Sequence, residues 1–174
     1  MATSTAVPVE EYLSKTYDPD MEYVDGQLLE RHVGEYDHSL LQGFIVSELN
    51  ARRRQRKFRV FPEQRVRISN QPRYRIPDVS VKALPHQKER ILERPDLVIE
   101  IVSPDDSISD MLVKIADYRI AGIPYIWIVD PYKRTLTEVV EGEIRNPPTQ
   151  RLSTPLVGEV DFAPLFEQLD EPAE

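Results

Sequence analysis

Glu100 is a carboxylate set inside an apolar run, Leu97-Val98-Ile99-Glu100-Ile101-Val102. Such a run reads as a strand covered on both faces. An ionised Glu there is costly unless it is paired, hydrogen-bonded or bound to a metal. Asp78 follows Pro77 in the preceding strand-like segment, Tyr74 to Val81. If the two strands are neighbours, two carboxylates meet at one end of a sheet and repel unless a cation joins them. A hard divalent ion suits that oxygen set, and a water beside it can become an attacking hydroxide. Lys114 lies downstream, where Ile108, Met111, Leu112, Ile115 and Tyr118 repeat at helical spacing. At about 100° per residue it falls on the edge of that apolar stripe. Its stem can lie on apolar surface while its ammonium reaches a buried carboxylate. Tyr118 is one turn further on the same flank, whereas Asp110 and Asp117 point more to the polar side. Each residue alone has a plainer reading. Asp78 is a turn residue after a proline, Glu100 a structural acid paired with an arginine such as Arg75, and Lys114 a solvated side chain.

Other chemistries find little support. The six glycines never cluster, so there is no dinucleotide loop or P-loop. There is no Gly-x-Ser-x-Gly elbow. His32, His38 and His86 lack zinc-site spacing. The absence of cysteine excludes disulfides, a thiol nucleophile and thiolate metal sites.

The elements that must position these residues follow from pattern. Pro8 to Leu13 reads as a short helix, with proline in the first turn and acids behind it. Asp25-Gly26 between two apolar runs is a hairpin signal. Glu35 to about Lys57 is the longest expected helix, on the spacing of Leu40, Leu41, Phe44, Ile45 and Leu49. Phe58 to Ser69 and Tyr74 to Val81 are expected strands on either side of a turn at Asn70-Gln71-Pro72, the second interrupted by Pro77. Leu84 to Arg94 is a polar connection. A helix stopped by Gly122 follows the Glu100 strand, then strands at Tyr125 to Val129 and Thr135 to Val140. Strand–helix–strand favours a parallel pair, and the hairpins favour antiparallel pairing. The expectation is a mixed-sheet α/β domain on the α+β border. Its 174 residues are expected to form one domain. An N-terminal helix and hairpin (about 7–31) precede the body, and a Pro- and acid-rich tail (about 146–174) follows it. Val160 to Phe166 is expected to dock as a strand end and one helical turn.

The formal net charge of −8 argues against a strong, indiscriminate nucleic-acid binder. Its distribution matters more. Ala51 to Arg75 holds ten basic residues and one acid, Glu63, a net +9 that leaves −17 on the remainder. That band is either a phosphate-facing stripe or a solvated helix end followed by a strand with a polar outer face. The first residues carry no basic, apolar leader, and no run reaches the length of a membrane span. The expectation is a cytoplasmic protein with no membrane partner.

Asp78, Glu100 and Lys114 also carry a resemblance. Pro77-Asp78-Val79-Ser80-Val81, the run from Pro95 to Pro104, and Asp110, Lys114 and Tyr118 resemble the Uma-two family, a bacterial group of restriction-endonuclease-like proteins. Gly122-Ile123-Pro124 and Trp127 to Pro131 fit its pattern, as do the Glu22 to Leu28 hairpin, His38 and the Gly158 to Phe166 segment. The resemblance covers nearly the whole chain. It implies the PD-(D/E)XK nuclease superfamily and its restriction-endonuclease-like central mixed sheet flanked by helices. It further implies Asp78, Glu100 and the peptide carbonyl of Ile101 as ligands of Mg2+ or Mn2+. The superfamily's usual lysine lies two residues after the Glu. Here that position is Val102, so the resemblance passes the role to Lys114. His38, with Glu35 behind it, Glu63 and Tyr118 would be supporting groups.

The implied activity is hydrolysis of phosphodiester bonds in nucleic acid, DNA foremost. Lys114 would orient the attacking water or stabilise developing charge. Arg52, Arg53, Arg56, Arg65, Arg67 and Arg75 would grip the phosphate backbone. A homodimer is expected, since two sites are needed to cut two strands. The alternative is a module that keeps the fold and binds nucleic acid or protein without cutting. A third reading is a structural dimer with Phe44, Ile126 and Trp127 at the interface.

Overall fold

The computed structural model describes residues 6–31, 35–68 and 71–171. Ser69 and Asn70, the end of one expected strand and the start of its turn, lie outside the described residues, as do the first five and last three of the chain.

Helix α1 (Val9–Ser14) leads into the hairpin of β1 (Met21–Val24) and β2 (Gln27–Glu30). Its turn is Asp25-Gly26, both at positive φ, as a tight two-residue connection demands. Helix α2 (Tyr36–Arg56) buries His38, Leu41, Ile45 and Leu49 on one stripe and ends where Lys57 turns left-handed.

Next comes one long hairpin bent in its middle. Its arms are β3 (Phe58–Pro62) with β4 (Val66–Ile68), and β5 (Arg73–Arg75) with β6 (Val79–Ala83). The outer pair β3–β6 belongs to one sheet and the inner pair β4–β5 to another. Each strand expected from sequence is therefore two strands. The break has a local cause on both arms. Pro77 cannot donate to a ladder, and Glu63 takes a left-handed φ of 50°. The arms stay joined across the bend by the Glu63 N–H donating to the Asp78 carbonyl at 3.2 Å.

The connection after β6, expected as a polar loop, holds a short strand, β7 (Leu92–Glu93), with Leu92 buried and the strand parallel to β4. Then come β8 (Leu97–Ile101), α3 (Ile108–Ile120), β9 (Tyr125–Asp130), β10 (Thr135–Val140) and β11 (Glu143–Arg145). The chain closes with the hairpin β12 (Arg151–Thr154) and β13 (Gly158–Asp161), helix α4 (Ala163–Glu167) and a 3-10 turn at Gln168–Asp170.

Six strands form a mixed sheet, β11-β10-β9-β8-β6-β3, in which β8 and β9 run parallel through the α3 crossover. Five form the second sheet, β2-β1-β5-β4-β7. Side-chain alternation divides the core. Leu97, Ile99 and Ile101 of β8 pack with Trp127, Val129 and the α2 stripe, and α4 closes that layer. Val98 faces the opposite way, into a layer made by Ile115 and Tyr118 of α3 with Val66, Ile68 and Leu92 of the second sheet. Glu100 shares the Val98 face, so it looks toward α3. Ile126 and Trp127 are fully interior, which removes them from any interface between copies. No helix among the described residues is long and apolar enough to cross a membrane.

Candidate active site

Antiparallel pairing of β6 and β8 sets Val79 against Ile99. One residue beyond that pair, Asp78 comes abreast of Glu100. Both carboxylates are buried. They line a cavity of about 280 Å³ bounded by Leu29, Glu30 and Arg31 on one side and Asp110, Val113 and Lys114 on the other. Asp78 sits at the bend of the long hairpin, where the strand leaves one sheet for the other. Departures from a regular ladder are common beside functional sites because they re-aim a side chain.

Asp78 is held from three directions. The backbone N–H of Ile101 donates to Oδ2 at 2.7 Å, Arg31 Nη2 donates to Oδ1 at 2.8 Å, and His38 Nε2 faces Oδ2 at 3.3 Å. Its own carbonyl accepts from Gln42 Nε2 at 2.9 Å, which ties the bend to α2. Burial pushes the Asp78 pKa up, but His38, Arg31 and the Ile101 N–H outweigh it and hold the carboxylate below its ordinary value. Burial likewise opposes the charge on His38, and Asp78 reverses that, so the imidazole titrates above its usual value. His38 Nδ1 is buried with no hydrogen-bond partner among the described residues.

Glu100 meets its partners on α3. Lys114 Nζ lies 3.1 Å from Oε2, with the lysine side chain 21% exposed, and the Tyr118 hydroxyl donates to Oε1. The arginine partner entertained for Glu100 is not there; Arg75 binds other acids. Burial, with the charge of Asp78 added, raises the Glu100 pKa against the pull of Lys114. Burial works against the Lys114 ammonium, but Glu100 and its acidic neighbours prevail and keep it protonated well past its ordinary range. The two carboxylates of one cavity are thus pushed in opposite directions.

Position 102, where the resemblance would place a lysine, holds Val102. Residues 98, 100 and 102 alternate onto one face, so a lysine at 102 would approach the same carboxylate. Val102 instead packs against the apolar layer under α3, and Lys114 comes down from the helix above. That helix is itself fixed by charge. Asp117, expected on the polar side, is buried, with Arg73 Nη1 at 2.7 Å and Arg75 Nη2 at 2.6 Å. Arg75 also reaches Glu22 Oε2 at 2.7 Å, and the Ile76 N–H donates to Glu22 Oε1 at 2.9 Å. A buried network therefore joins β1, β5 and α3 directly behind Lys114 and Tyr118.

Most of the remaining sequence candidates lie elsewhere. Arg52 caps the Val157 and Glu159 carbonyls and pairs with Glu48, and Arg56 lies against Gly158. Both, with Arg53, are at the far end of α2 from His38, roughly 20–27 Å away at the helical rise of about 1.5 Å per residue. Arg65 stacks over the Tyr12 ring at 4.5 Å, and Arg67 pairs with Glu93 at the surface. Arg75 lines the cavity, but its guanidinium is buried between Glu22 and Asp117. Glu63 is half exposed and touches the site through Arg31 Nη1 at 3.5 Å. Arg31 and Glu22 are the site residues that sequence reasoning missed. Neither has a neighbour in sequence that marks it; only the pairing of the first hairpin with the second sheet brings them in.

Among the described residues no three His, Asp or Glu side chains form a ready-made cation cage. The donor chemistry nevertheless suits a hard cation. Six carboxylates line the cavity against three permanent cations, Arg31, Arg75 and Lys114, so the cavity is short of positive charge, and Asp78 and Glu100 are the most deeply placed oxygen donors.

No curated protein matches the chain. Among solved structures it is similar to one from Anabaena variabilis ATCC 29413, determined at 1.96 Å and described as a “putative nuclease belonging to DUF820”. The two share 26% identity over 94% of this chain and 99% of that one, with a TM-score of 0.80. The architecture is that of a nuclease-fold protein, with the mixed sheet and flanking helices expected of a restriction-endonuclease-like chain. A match over residues 9–165 shows that the chain belongs to the Uma2 family, described as “Putative restriction endonuclease”.

Proposed function

We propose that the protein is a metal-dependent endonuclease that hydrolyses phosphodiester bonds in DNA, working in the cytoplasm as a homodimer. The observation that carries this reading is the meeting of Asp78, Glu100 and a protonated Lys114 in one cavity. Asp78, Glu100 and the Ile101 carbonyl would hold Mg2+ or Mn2+. Bound there, the ion would supply Lewis-acid polarisation of the phosphate and acidify a water. Lys114 is held charged by Glu100, which suits it to donate hydrogen bonds to a developing negative charge rather than to remove a proton. Tyr118 fixes the other Glu100 oxygen, so the carboxylate keeps one orientation. His38 and the Ile101 N–H do the same for Asp78.

Asp78→Asn and Glu100→Gln keep the shape of each side chain and remove its charge. Each is expected to abolish Mg2+- or Mn2+-dependent cleavage of plasmid and oligonucleotide DNA by the purified protein. Cleavage that survives either change would refute the reading. Salt-dependent DNA binding without cleavage at any divalent ion concentration would favour the non-cutting alternative. Light scattering decides the assembly.

A further inference from the structure

We propose that Arg31 is a cation latch, an inference that rests on the nuclease reading above. In the metal-free protein it neutralises Asp78. It yields that carboxylate to an incoming divalent cation, and its freed guanidinium then receives the substrate phosphate.

Arg31 follows β2, the edge strand of the five-stranded sheet, whereas Asp78 introduces β6 of the six-stranded sheet. Its side chain spans the space between the sheets. One nitrogen, Nη2, is 2.8 Å from Asp78 Oδ1, and the other, Nη1, is 3.5 Å from Glu63 Oε1. The surroundings grade from interior to solvent: Asp78 is 4% exposed, Arg31 15% and Glu63 50%. Arg31 can therefore swing outward from Asp78 while keeping an acidic partner.

The two oxygens of Asp78 are not equivalent. Oδ2 is fixed by the Ile101 N–H and faces His38, while Oδ1 accepts from Arg31 Nη2. Oδ1 is thus the oxygen left for a cation; it keeps a second lone pair, and what drives Arg31 away is the repulsion between its charge and the ion's. The exchange needs no proton transfer, because a guanidinium keeps its charge at any working pH. The fork that leaves Asp78 is also matched to two phosphate oxygens, and it stands at the mouth of the cavity where Lys114 waits.

The experiment is Mn2+ binding to the full chain, read by electron paramagnetic resonance of the free ion, for the wild type, Arg31→Met, Arg31→Lys and Asp78→Asn. Removing the competing charge is expected to tighten Mn2+ binding on the order of tenfold in Arg31→Met. Mn2+ should also raise the melting temperature of Arg31→Met more than that of the wild type. Arg31→Lys keeps the charge without the fork, so its Mn2+ affinity should stay near the wild-type value while kcat on DNA falls. Asp78→Asn should bind no Mn2+. Should Arg31→Met fail to fold, Arg31→Gln carries the same expectation. Mn2+ binding by the wild type that is unchanged or weakened in Arg31→Met would overturn the latch and leave the nuclease reading standing. Failure of every form to bind Mn2+ would overturn both.

Discussion

Lys114 shows how a buried charge is kept useful. Its ammonium sits where water is scarce, and Glu100 holds it protonated. Replacing it with methionine preserves the packing of the stem and removes the charge facing Glu100. Lys114→Met is expected to lower kcat by about 100-fold or more, with a smaller change in KM, because the lost interaction is one that strengthens in the transition state. Steady-state kinetics on an oligonucleotide checks this, and a pure KM effect would mean that Lys114 only binds. At this scale much of the site was legible. A carboxylate in an apolar strand, another after Pro77 and a lysine on the rim of an apolar stripe each stand out against their surroundings. Arg31 does not, because nothing near it in sequence distinguishes it from the chain's other arginines. Arg75 and Asp117 misled for the opposite reason. Their types suggest surface, and only the fold shows that they bury one another.

At the scale of elements, the bent hairpin and α3 create the site. The hairpin turns Asp78 inward, and α3 brings Lys114 and Tyr118 over β8. The helix is held against the second sheet by the Glu22–Arg75–Asp117 network, so Arg75→Met leaves the buried Glu22 without its cation and Asp117 with Arg73 alone. Breaking such a pair costs about 3–5 kcal/mol, and urea denaturation of Arg75→Met is expected to show a loss of that order. A loss below about 1 kcal/mol would mean that the network does not hold α3. The cap formed by α1 and the first hairpin offers a pH test. Burial raises the Tyr12 pKa to about 12, opposed by Arg65, and its hydroxyl donates to the Met21 carbonyl at 2.8 Å. A raised pKa means stability that is whole below the ordinary value near 10 and is lost as pH climbs through about 12. The wild type should therefore lose up to about 2 kcal/mol relative to Tyr12→Phe between pH of about 9 and 12, read from paired urea melts. Equal losses would show that Tyr12 ionises freely. Sequence gave the elements' types more readily than their partners. The runs 58–69 and 74–81 each read as one strand because alternation continues across the bend. Only Pro77 hinted that the chain changes sheet there.

For the molecule as a whole, the site lies where the two sheets part, between the first hairpin and α3. The segregated positive charge lies largely elsewhere. Arg52 and Arg56 dock the β12–β13 hairpin on α2, and Arg73 and Arg75 hold α3. Charge counting along the chain could not separate these tasks, because a guanidinium facing a buried carboxylate and one facing solvent look alike in sequence. What remains at the cavity is an excess of carboxylates with Arg31 and Lys114 at its mouth. We propose that this excess holds a divalent cation for phosphodiester hydrolysis. The most direct test is anomalous diffraction from crystals grown with Mn2+. One peak is expected at the Asp78 and Glu100 carboxylates beside Ile101, with Arg31 turned away from Asp78. A saturating soak that leaves Asp78 paired with Arg31 and puts no manganese between the two carboxylates would contradict it.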